Sequence, residues 1–293
     1  MVQGITGKEG TFHTLRNVDY GTEVVAGVTP GKAGQDVEGI PVFETVADAV
    51  RETGANTTMI FVPPRFAPDA ILEGADAGIR LVVCITEGIP VKDMAYVRGY
   101  LSGTRTMLVG PNCPGVISPG EANVGIIPGE VCAPGPVGLV SRSGTLVYQI
   151  VHEMTSRGIG QSTCIGMGGD PVHGIGFVES LRLFQRDAGT GLIVMVGEIG
   201  GDDEERAAAC IEEEITKPVV GYIAGFEAPA GKRMGHAGAI VTGSTGTAAA
   251  KAEALEAVGV KVGRNPTQVA ELVEEILSQR LAGQPADEGD PAL

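Results

Sequence analysis

The residue best suited to chemistry is His236, in the segment Met234-Gly235-His236-Ala237-Gly238-Ala239. Its neighbours are small, so a substrate could approach the imidazole ring, and two cations, Lys232 and Arg233, precede it. A neutral imidazole is both a nucleophile and a proton carrier near neutral pH. The segment by itself leaves three roles open for His236: a nucleophile or base, a metal ligand, or an ordinary residue of a glycine-rich turn.

A first candidate anion-binding loop opens the chain, where Gly4, Gly7 and Gly10 follow a short apolar run. Glycines after a first strand let the backbone approach a phosphate, which the next helix N-terminus can bind. The spacing is GxxGxxG, not the GxGxxG of dinucleotide sites, and the next strand lacks the carboxylate that a nicotinamide site needs. It runs instead into Lys32. This lysine could bind the 3′-phosphate of coenzyme A or the 2′-phosphate of NADP, or it could be a solvated lysine of a loop.

A second candidate anion-binding loop is Ser141-Arg142-Ser143-Gly144-Thr145, directly after a predicted strand at Val137–Val140. Hydroxyls and a glycine at a strand-to-helix turn can bind an anion through N–H groups and the helix dipole. An ordinary helix N-cap is the alternative. A P-loop is not expected, because the run from Gly225 to Lys232 is one residue too long and Arg233 replaces the usual Ser or Thr.

Composition bounds the class of protein. The chain has 293 residues, a formal net charge of −15 and five cysteines without a CxxC pair. The acidic balance argues against nucleic-acid binding, and the scattered cysteines predict free thiols in a reducing compartment and no metal site. No signal peptide or membrane-length apolar run is evident, so we expect a cytoplasmic protein without membrane attachment.

Strand-like runs alternate with helix-length segments, which predicts two doubly wound α/β domains with parallel sheets. One predicted strand is Glu23–Val28 in the first half, and another is Leu192–Val196 in the second. The Gly- and Pro-rich stretch after Pro111 has no periodicity and predicts the inter-domain connection. The expected division is a first domain at 1–118, a linker at 119–135, a second domain at 136–282 and a disordered acidic tail at 283–293.

The motifs, taken in order, resemble the alpha subunits of succinyl-CoA synthetase (succinate–CoA ligase) over nearly the whole chain up to about Leu281. Each motif is short, but their number and order make the resemblance specific. They are Thr6-Gly7-Lys8-Glu9-Gly10-Thr11, Val28-Thr29-Pro30-Gly31-Lys32, Ile85-Thr86-Glu87-Gly88-Ile89-Pro90, Gly110-Pro111-Asn112-Cys113-Pro114-Gly115, Ser141-Arg142-Ser143-Gly144-Thr145-Leu146, Gly168-Gly169-Asp170-Pro171, Gly197-Glu198-Ile199-Gly200-Gly201 and Gly235-His236-Ala237-Gly238-Ala239.

The resemblance implies a Rossmann-like CoA-binding domain followed by a flavodoxin-like ligase domain. It implies that His236 is phosphorylated, that Glu198 orients its ring and that Tyr148 contacts the acid substrate. The turn of Ser143, Gly144 and Thr145 would bind the phosphoryl oxygens. The residues implied to contact coenzyme A are Thr6, Gly7, Lys8, Glu9, Lys32, Ile85, Thr86 and Glu87.

The same resemblance implies a reaction of the tricarboxylic acid cycle. Succinyl-CoA, phosphate and a nucleoside diphosphate would give succinate, CoA and a nucleoside triphosphate through a phosphohistidine. The resemblance also implies an ATP-grasp beta subunit, which would hold Mg²⁺ and ADP/ATP or GDP/GTP. Three alternatives stay open: a related ligase subunit acting on malate or citrate, an NADP-dependent oxidoreductase, and a non-catalytic CoA-binding module.

Overall fold

The computed structural model describes residues 1–228, 234–241 and 246–283. Lys232, Arg233 and residues 284–293 of the predicted tail lie outside the described residues, as does the second half (229–232) of the run compared above with a P-loop. None of the helices in the described ranges combines the length and apolar character needed to cross a lipid bilayer.

The first half of the chain forms a seven-stranded sheet in the order β3-β4-β2-β1-β5-β6-β7. β3 is antiparallel to β4, and the other strands are parallel. Counted along the chain, the six parallel strands therefore run 3-2-1-4-5-6, the Rossmann order. The strands are β1 (Val2–Gln3), β2 (Gly27–Val28), β3 (Asp36–Val37), β4 (Ile40–Phe43), β5 (Thr57–Ile60), β6 (Leu81–Cys84) and β7 (Met107–Val109). The helices are α1 (Lys8–Asp19), α2 (Val46–Thr53), α3 (Ala67–Asp76) and α4 (Val91–Leu101).

The second half forms another seven-stranded sheet, in the order β14-β13-β12-β10-β11-β8-β9. Its five parallel strands run 2-1-3-4-5, the flavodoxin order, and an antiparallel hairpin of β8 and β9 extends one edge. The strands are β8 (Gly115–Ser118), β9 (Ala122–Gly125), β10 (Pro134–Ser141), β11 (Gln161–Gly166), β12 (Leu192–Glu198), β13 (Val219–Ala224) and β14 (Lys261–Gly263). The helices are α5 (Gly144–Ser156), α6 (Phe177–Arg186), α7 (Asp203–Glu214), α8 (Ala248–Ala257) and α9 (Pro266–Gly283). The predicted fold class is confirmed for both halves.

The stretch predicted as a linker has a different structure. Residues 119–135 contain β9, a 3₁₀ turn at Gly129–Val131 and the start of β10, and the predicted boundary at residue 118 falls inside the β8–β9 hairpin. Gly115 and Gly125 face each other so closely that a Cβ on Gly115 would lie 2.4 Å from the carbonyl oxygen of Val124. The missing side chains allow this pairing and also remove the alternating pattern by which a strand is predicted.

Strand β2 is shorter than predicted, since only Gly27 and Val28 of the expected Glu23–Val28 are paired. By contrast, all seven residues of β12 are buried. A continuous apolar run is typical of a central parallel strand with helices on both faces. β12 therefore forms the centre of the second domain, and its last residue is Glu198.

The hairpin also joins the two halves, because α1 of the first domain packs against β9 of the second. Buried Asn17 on α1 donates from Nδ2 to the carbonyl oxygen of Gly125 at 3.0 Å. Just after α1, Thr22 Oγ1 donates to the Asn123 carbonyl at 2.9 Å and accepts from the Asn123 N–H at 2.8 Å. The residues predicted as a linker thus act as a fixed joint between the domains.

Replacing Asn17 with Ala should destabilise this joint. The change leaves the buried Gly125 carbonyl without its side-chain donor, which should lower the free energy of unfolding by about 1–3 kcal/mol. The neighbouring Arg16→Ala is the matched control, because the ion pair of Arg16 with Glu130 joins the same two segments at the surface. That change should cost less than about 1 kcal/mol. Urea titrations of both variants measure the difference, and equal costs would contradict the assignment of the joint to Asn17.

Candidate active site

Several candidate residues converge at the carboxyl ends of the central strands β10 and β12. Arg142 and Ser143 directly follow β10, and Glu198 ends β12. β11 and β12 lie on opposite sides of β10, so the connections leaving this point diverge. Open parallel sheets bind ligands in the crevice at such a switch point.

His236 lies at this edge of the sheet, with its Nδ1 2.6 Å from Oε2 of Glu198. The Glu198 side chain is only 8% exposed, whereas that of His236 is 26% exposed. Because a carboxylate can only accept, Nδ1 must carry the proton, and the lone pair of the neutral ring then lies on Nε2. The pair therefore holds one tautomer, in which the outer nitrogen is a nucleophile.

Electrostatics around the ring raise the pKa of His236 above its ordinary value. The hydrogen bond that the ring donates to Glu198 is the largest cause, and the charges of Glu198 and Asp170 act in the same direction. Burial and the positive charge of Arg142 oppose them. The nucleophilic neutral form should accordingly be lost as the pH falls through this raised pKa.

Gly169 forms the surface against which the imidazole packs. A Cβ built on Gly169 would lie 2.3 Å from Cγ and Cδ2 of His236. Only glycine therefore allows the ring to lie this close to the loop after β11. The sequence placed the Gly168-Gly169-Asp170-Pro171 motif in the family pattern but did not indicate its contact with His236.

Arg142 bridges two carboxylates behind this pair. It is 6% exposed, with Nε 3.8 Å from Glu198 Oε1 and Nη2 3.4 Å from Asp203 Oδ2. Asp203 also faces His173, whose Nε2 lies 3.8 Å from Oδ2. Hydrogen bonding to His173, together with the charge of Arg142, lowers the pKa of Asp203 to about 2.

A second buried ion pair supports the backbone of Glu198. The N–H of Glu198 donates to Glu204 Oε1 at 3.0 Å, and the other oxygen of Glu204 contacts Lys251 Nζ. The side chains of Glu204 and Lys251 are both fully buried. Burial raises the pKa of Glu204, which the charge of Lys251 opposes. Arg142, Asp203, His173, Glu204 and Lys251 were all missed as site residues from the sequence, because buried charge pairing leaves no local pattern.

The second candidate anion-binding loop does form a helix N-terminus. Ser143 is the N-cap of α5, with its Oγ accepting from the N–H of Leu146 at 3.4 Å. The first N–H groups of a helix have no acceptor within the helix, so those of Gly144 and Thr145 can serve an anion while Ser143 caps. The two interpretations of this loop are thus compatible. Tyr148 lies one turn further along α5 and is half-buried.

The first candidate loop lines a cleft of about 680 Å³ at the switch point of the first sheet. The loops after β1 and β5 form its walls, and the predicted residues Thr6, Gly7, Lys8 and Glu9 are among them. The loop is tight, because a Cβ on Gly10 would lie 2.2 Å from the Gly4 carbonyl oxygen. The other predicted contacts, Lys32, Ile85, Thr86 and Glu87, are not among the described residues that line this cleft.

Hydrogen bonds nevertheless connect the Ile85–Glu87 motif both to the cleft and to the His236 site. Thr86 Oγ1 donates to the carbonyl of Val62, a cleft residue, at 2.7 Å. The N–H of Asn112 donates to the Thr86 carbonyl at 3.0 Å, and its Nδ2 donates to Asp170 Oδ1 at 2.9 Å. Asp170 directly follows Gly169, on which His236 packs. The two candidate sites thus share one connecting loop.

The nearby thiols and the acidic side chains show no metal-site geometry. Burial raises the pKa of Cys84 to about 12 and raises that of Cys113 as well. In the described part of the chain, no group of three or more His, Cys, Asp or Glu side chains is arranged to hold a metal ion.

Two family models match the chain, one for each half. The model described as CoA binding domain matches residues 1–88, and the model described as CoA-ligase matches residues 140–261. The first range contains the cleft loops and the second contains Glu198 and His236.

Curated relatives match over almost the full chain. The alpha subunit of succinate–CoA ligase (ADP-forming) from Aquifex aeolicus is 60% identical over 279 residues, which cover 94% of this chain and 92% of the relative. Subunit alpha 2 of the enzyme of the same name from Archaeoglobus fulgidus is 58% identical, covering 94% and 96%. Among solved structures, ATP citrate lyase from Methanothrix soehngenii, in complex with citrate and coenzyme A, is 26% identical with a TM-score of 0.79. That match covers 92% of this chain and 48% of the lyase.

Replacing Glu198 with Gln should lower the pKa of His236. Glutamine keeps the shape of the side chain but removes the charge and the strong acceptor that stabilise the imidazolium. An NMR titration of the His236 ring measures the change. Glu214→Gln is the control, since Glu214 pairs with Arg182 at the surface, and it should leave the titration unchanged. An unchanged His236 pKa in Glu198→Gln would contradict the assigned pairing.

Proposed function

The chain belongs to the family of succinate–CoA ligase alpha subunits, and from this premise we propose that it is the phosphoryl-carrying subunit of an ADP-forming succinate–CoA ligase. The proposal rests on the hydrogen bond between His236 Nδ1 and Glu198 Oε2, which is 2.6 Å long and lies at the switch point of the second sheet. A ring held with its proton on Nδ1 offers Nε2 to an electrophile. This arrangement suits a histidine that receives and passes on a phosphoryl group.

The reaction proceeds in three balanced steps. An oxygen of inorganic phosphate attacks the thioester carbonyl of succinyl-CoA, and the carbon–sulfur bond breaks to release CoA and succinyl phosphate. Nε2 of His236 then attacks the phosphorus, and the phosphorus–oxygen bond to the acyl group breaks to release succinate. In the last step a terminal phosphate oxygen of ADP attacks the same phosphorus, which forms ATP and returns neutral His236.

Residues of this chain assist these steps in distinct ways. Glu198 keeps the ring proton on Nδ1 by accepting its hydrogen bond. It also stabilises the positive charge that develops on the ring when Nε2 forms its bond to phosphorus. The N–H groups of Gly144 and Thr145, directly after the Ser143 cap, bind the phosphoryl oxygens without adding a competing nucleophile. Tyr148, on the same helix, contacts the acid substrate.

Coenzyme A occupies the cleft of the first domain in this proposal. The backbone of Thr6 to Glu9 holds its pyrophosphate, as the tight Gly4–Gly10 loop permits. Lys32 contacts the 3′-phosphate, and the Ile85–Glu87 motif lies where the connecting loop leads towards His236. The span from Thr86 through Asn112 to Asp170 supports a path by which the thioester end reaches the phosphorylation site.

A beta subunit with an ATP-grasp fold completes the enzyme. It supplies Mg²⁺ and the nucleotide site, which fits the lack of a P-loop lysine in this sequence. The five free cysteines support a reducing, cytoplasmic location. ATP citrate lyase shares the fold, but the relatives of high identity carry the succinate name, so we favour succinate over citrate or malate.

Phosphate transfer to His236 tests the proposal directly. The assembled complex, incubated with Mg²⁺ and ATP labelled in its γ-phosphate, should acquire acid-labile, base-stable label. His236→Asn should abolish the label, whereas His152→Asn, which changes an exposed histidine on α5, should keep it. Succinate with CoA should discharge the label, and malate or citrate should not. Label that survives in His236→Asn would overturn the proposal.

The role of Lys32 has a separate test. Lys32→Ala should weaken CoA binding by about tenfold or more, because a hydrogen bond to a charged phosphate is lost. Binding of dephospho-CoA, which lacks the 3′-phosphate, should not change, and neither should phosphorylation of His236. Titration calorimetry with both ligands measures this, with the exposed lysine variant Lys92→Ala as the control. Equal losses for both ligands would place Lys32 elsewhere.

A further inference from the structure

We infer that Arg142 is a positioning residue for phosphoryl transfer, acting on His236 through the far oxygen of Glu198. The inference rests on the function proposed above but concerns a side chain to which that function assigns no part. Arg142 faces Oε1 of Glu198, whereas His236 bonds Oε2 of the same carboxylate. Its guanidinium therefore positions the ring through Glu198, and its charge acts on the ring in addition.

The first support is the pairing of two buried atoms. Among the described residues, Arg142 Nε and Glu198 Oε1 are both buried without a hydrogen-bond partner, and they lie 3.8 Å apart. Buried donors and acceptors are normally paired, and an unpaired charged group costs more than a neutral one. A donor and an acceptor that both lack a partner can satisfy each other, and a small side-chain shift completes this bond. Glu198 would then use one oxygen for Arg142 and the other for His236.

The second support is the backbone of Arg142. Its N–H donates to the carbonyl of Val196 at 3.1 Å, which fastens the turn after β10 to β12, two residues before Glu198. The next residue, Ser143, begins the loop proposed to bind phosphoryl oxygens. Arg142 therefore fixes the distance between the anion-binding loop and the carboxylate that orients His236.

The third support is a second carboxylate that faces the guanidinium. Nη2 lies 3.4 Å from Asp203 Oδ2, and His173 Nε2 lies 3.8 Å from the same oxygen. Arginine presents its donors in a rigid planar fork, so one cation can face two carboxylates at fixed angles. A lysine would keep the charge but not the fork. Charge and geometry can therefore be separated by mutation.

The charge of Arg142 should shift the pH dependence of His236 phosphorylation in a predictable direction. Among the described residues, the charged groups that act on the His236 ring are Glu198, Arg142 and Asp170. Removing the only cation of these three makes proton uptake by the Glu198–His236 pair easier, whichever of the two receives the proton. Since the extra proton removes the nucleophile, the acid limb of phosphorylation should move to higher pH.

The test uses three variants of the assembled complex. Arg142→Met removes charge and fork, and Arg142→Lys removes the fork alone. Arg157→Met is the matched control, because Arg157 follows the other end of α5 and also faces two carboxylates, Glu271 and Glu274. Two quantities are measured against pH: the single-turnover rate of His236 phosphorylation and the NMR titration of the His236 ring.

In Arg142→Met, the acid limb and the ring titration should both move up by about one pH unit. In Arg142→Lys, both should stay in place while the rate falls about 10- to 100-fold, as for other residues that orient a reacting side chain. Arg157→Met should match the unmodified complex in both measurements. An unmoved titration in Arg142→Met, or an unchanged rate in Arg142→Lys, would overturn the inference.

Two further outcomes are also decisive. If Arg142→Met does not fold, the rate of Arg142→Lys decides the question alone. If the unmodified complex takes up no phosphate, the proposed function fails, and the ring titration of Arg142→Met then decides whether Arg142 controls His236.

Discussion

The candidate active site depends on one buried carboxylate, that of Glu198 at the end of the central strand β12. A charge removed from water at this depth costs several kcal/mol unless neighbouring groups compensate it. His236 compensates one oxygen by hydrogen bonding at 2.6 Å, and Arg142 faces the other. Each of these partners in turn needs its own polar or charged neighbours, and these groups together form the site.

The compensation of buried charge extends from Glu198 to further charged residues. Arg142 is buried too, and the carboxylate of Asp203 also faces its guanidinium. The N–H of Glu198 is bound by Glu204, whose own burial is tolerated because Lys251 pairs with it. Charges that pair in a low-dielectric interior hold one another in place. The hydrogen bond to Glu198 and the close contact with Gly169 hold His236 in one orientation, although it lies in a loop rather than on a strand or helix.

Each of the two domains contributes one candidate site. Their sheets each provide a switch point, one beside the cleft of the first domain and one beside Glu198. The loop after β7 joins them, because Asn112 bonds both Thr86 of the first domain and Asp170 of the second. The β8–β9 hairpin, through Asn17 and Gly125, holds the halves in a fixed relation. The proposed reaction, in which the acyl phosphate formed from the thioester passes its phosphoryl group to His236, requires such a fixed relation between the two sites.

Much of this organisation could be predicted from the chain. Alternating apolar runs and helical segments predicted two α/β domains, and the confirmed strand orders are those of Rossmann and flavodoxin folds. Local chemistry also singled out His236 in its glycine-rich frame and the loops at Gly4–Gly10 and Ser141–Thr145. These features are local, since glycines, caps and short strands depend on neighbours in the sequence. The roles assigned to Lys32, Tyr148 and the Ile85–Glu87 motif remain predictions.

The tertiary structure alone decided which charges meet. Glu198 and His236 are 38 residues apart, and their contact follows from the parallel order of β10, β12 and β13, which places their loops at one edge. Arg142, Asp203 and Lys251 lie on three further segments, and no spacing in the sequence marks them as partners. The hairpin at Gly115–Gly125 has no alternating pattern in the sequence, because its pairing depends on absent side chains. Sequence determines the local conformations, but ion pairing inside a core depends on distances that exist only after the sheet has formed.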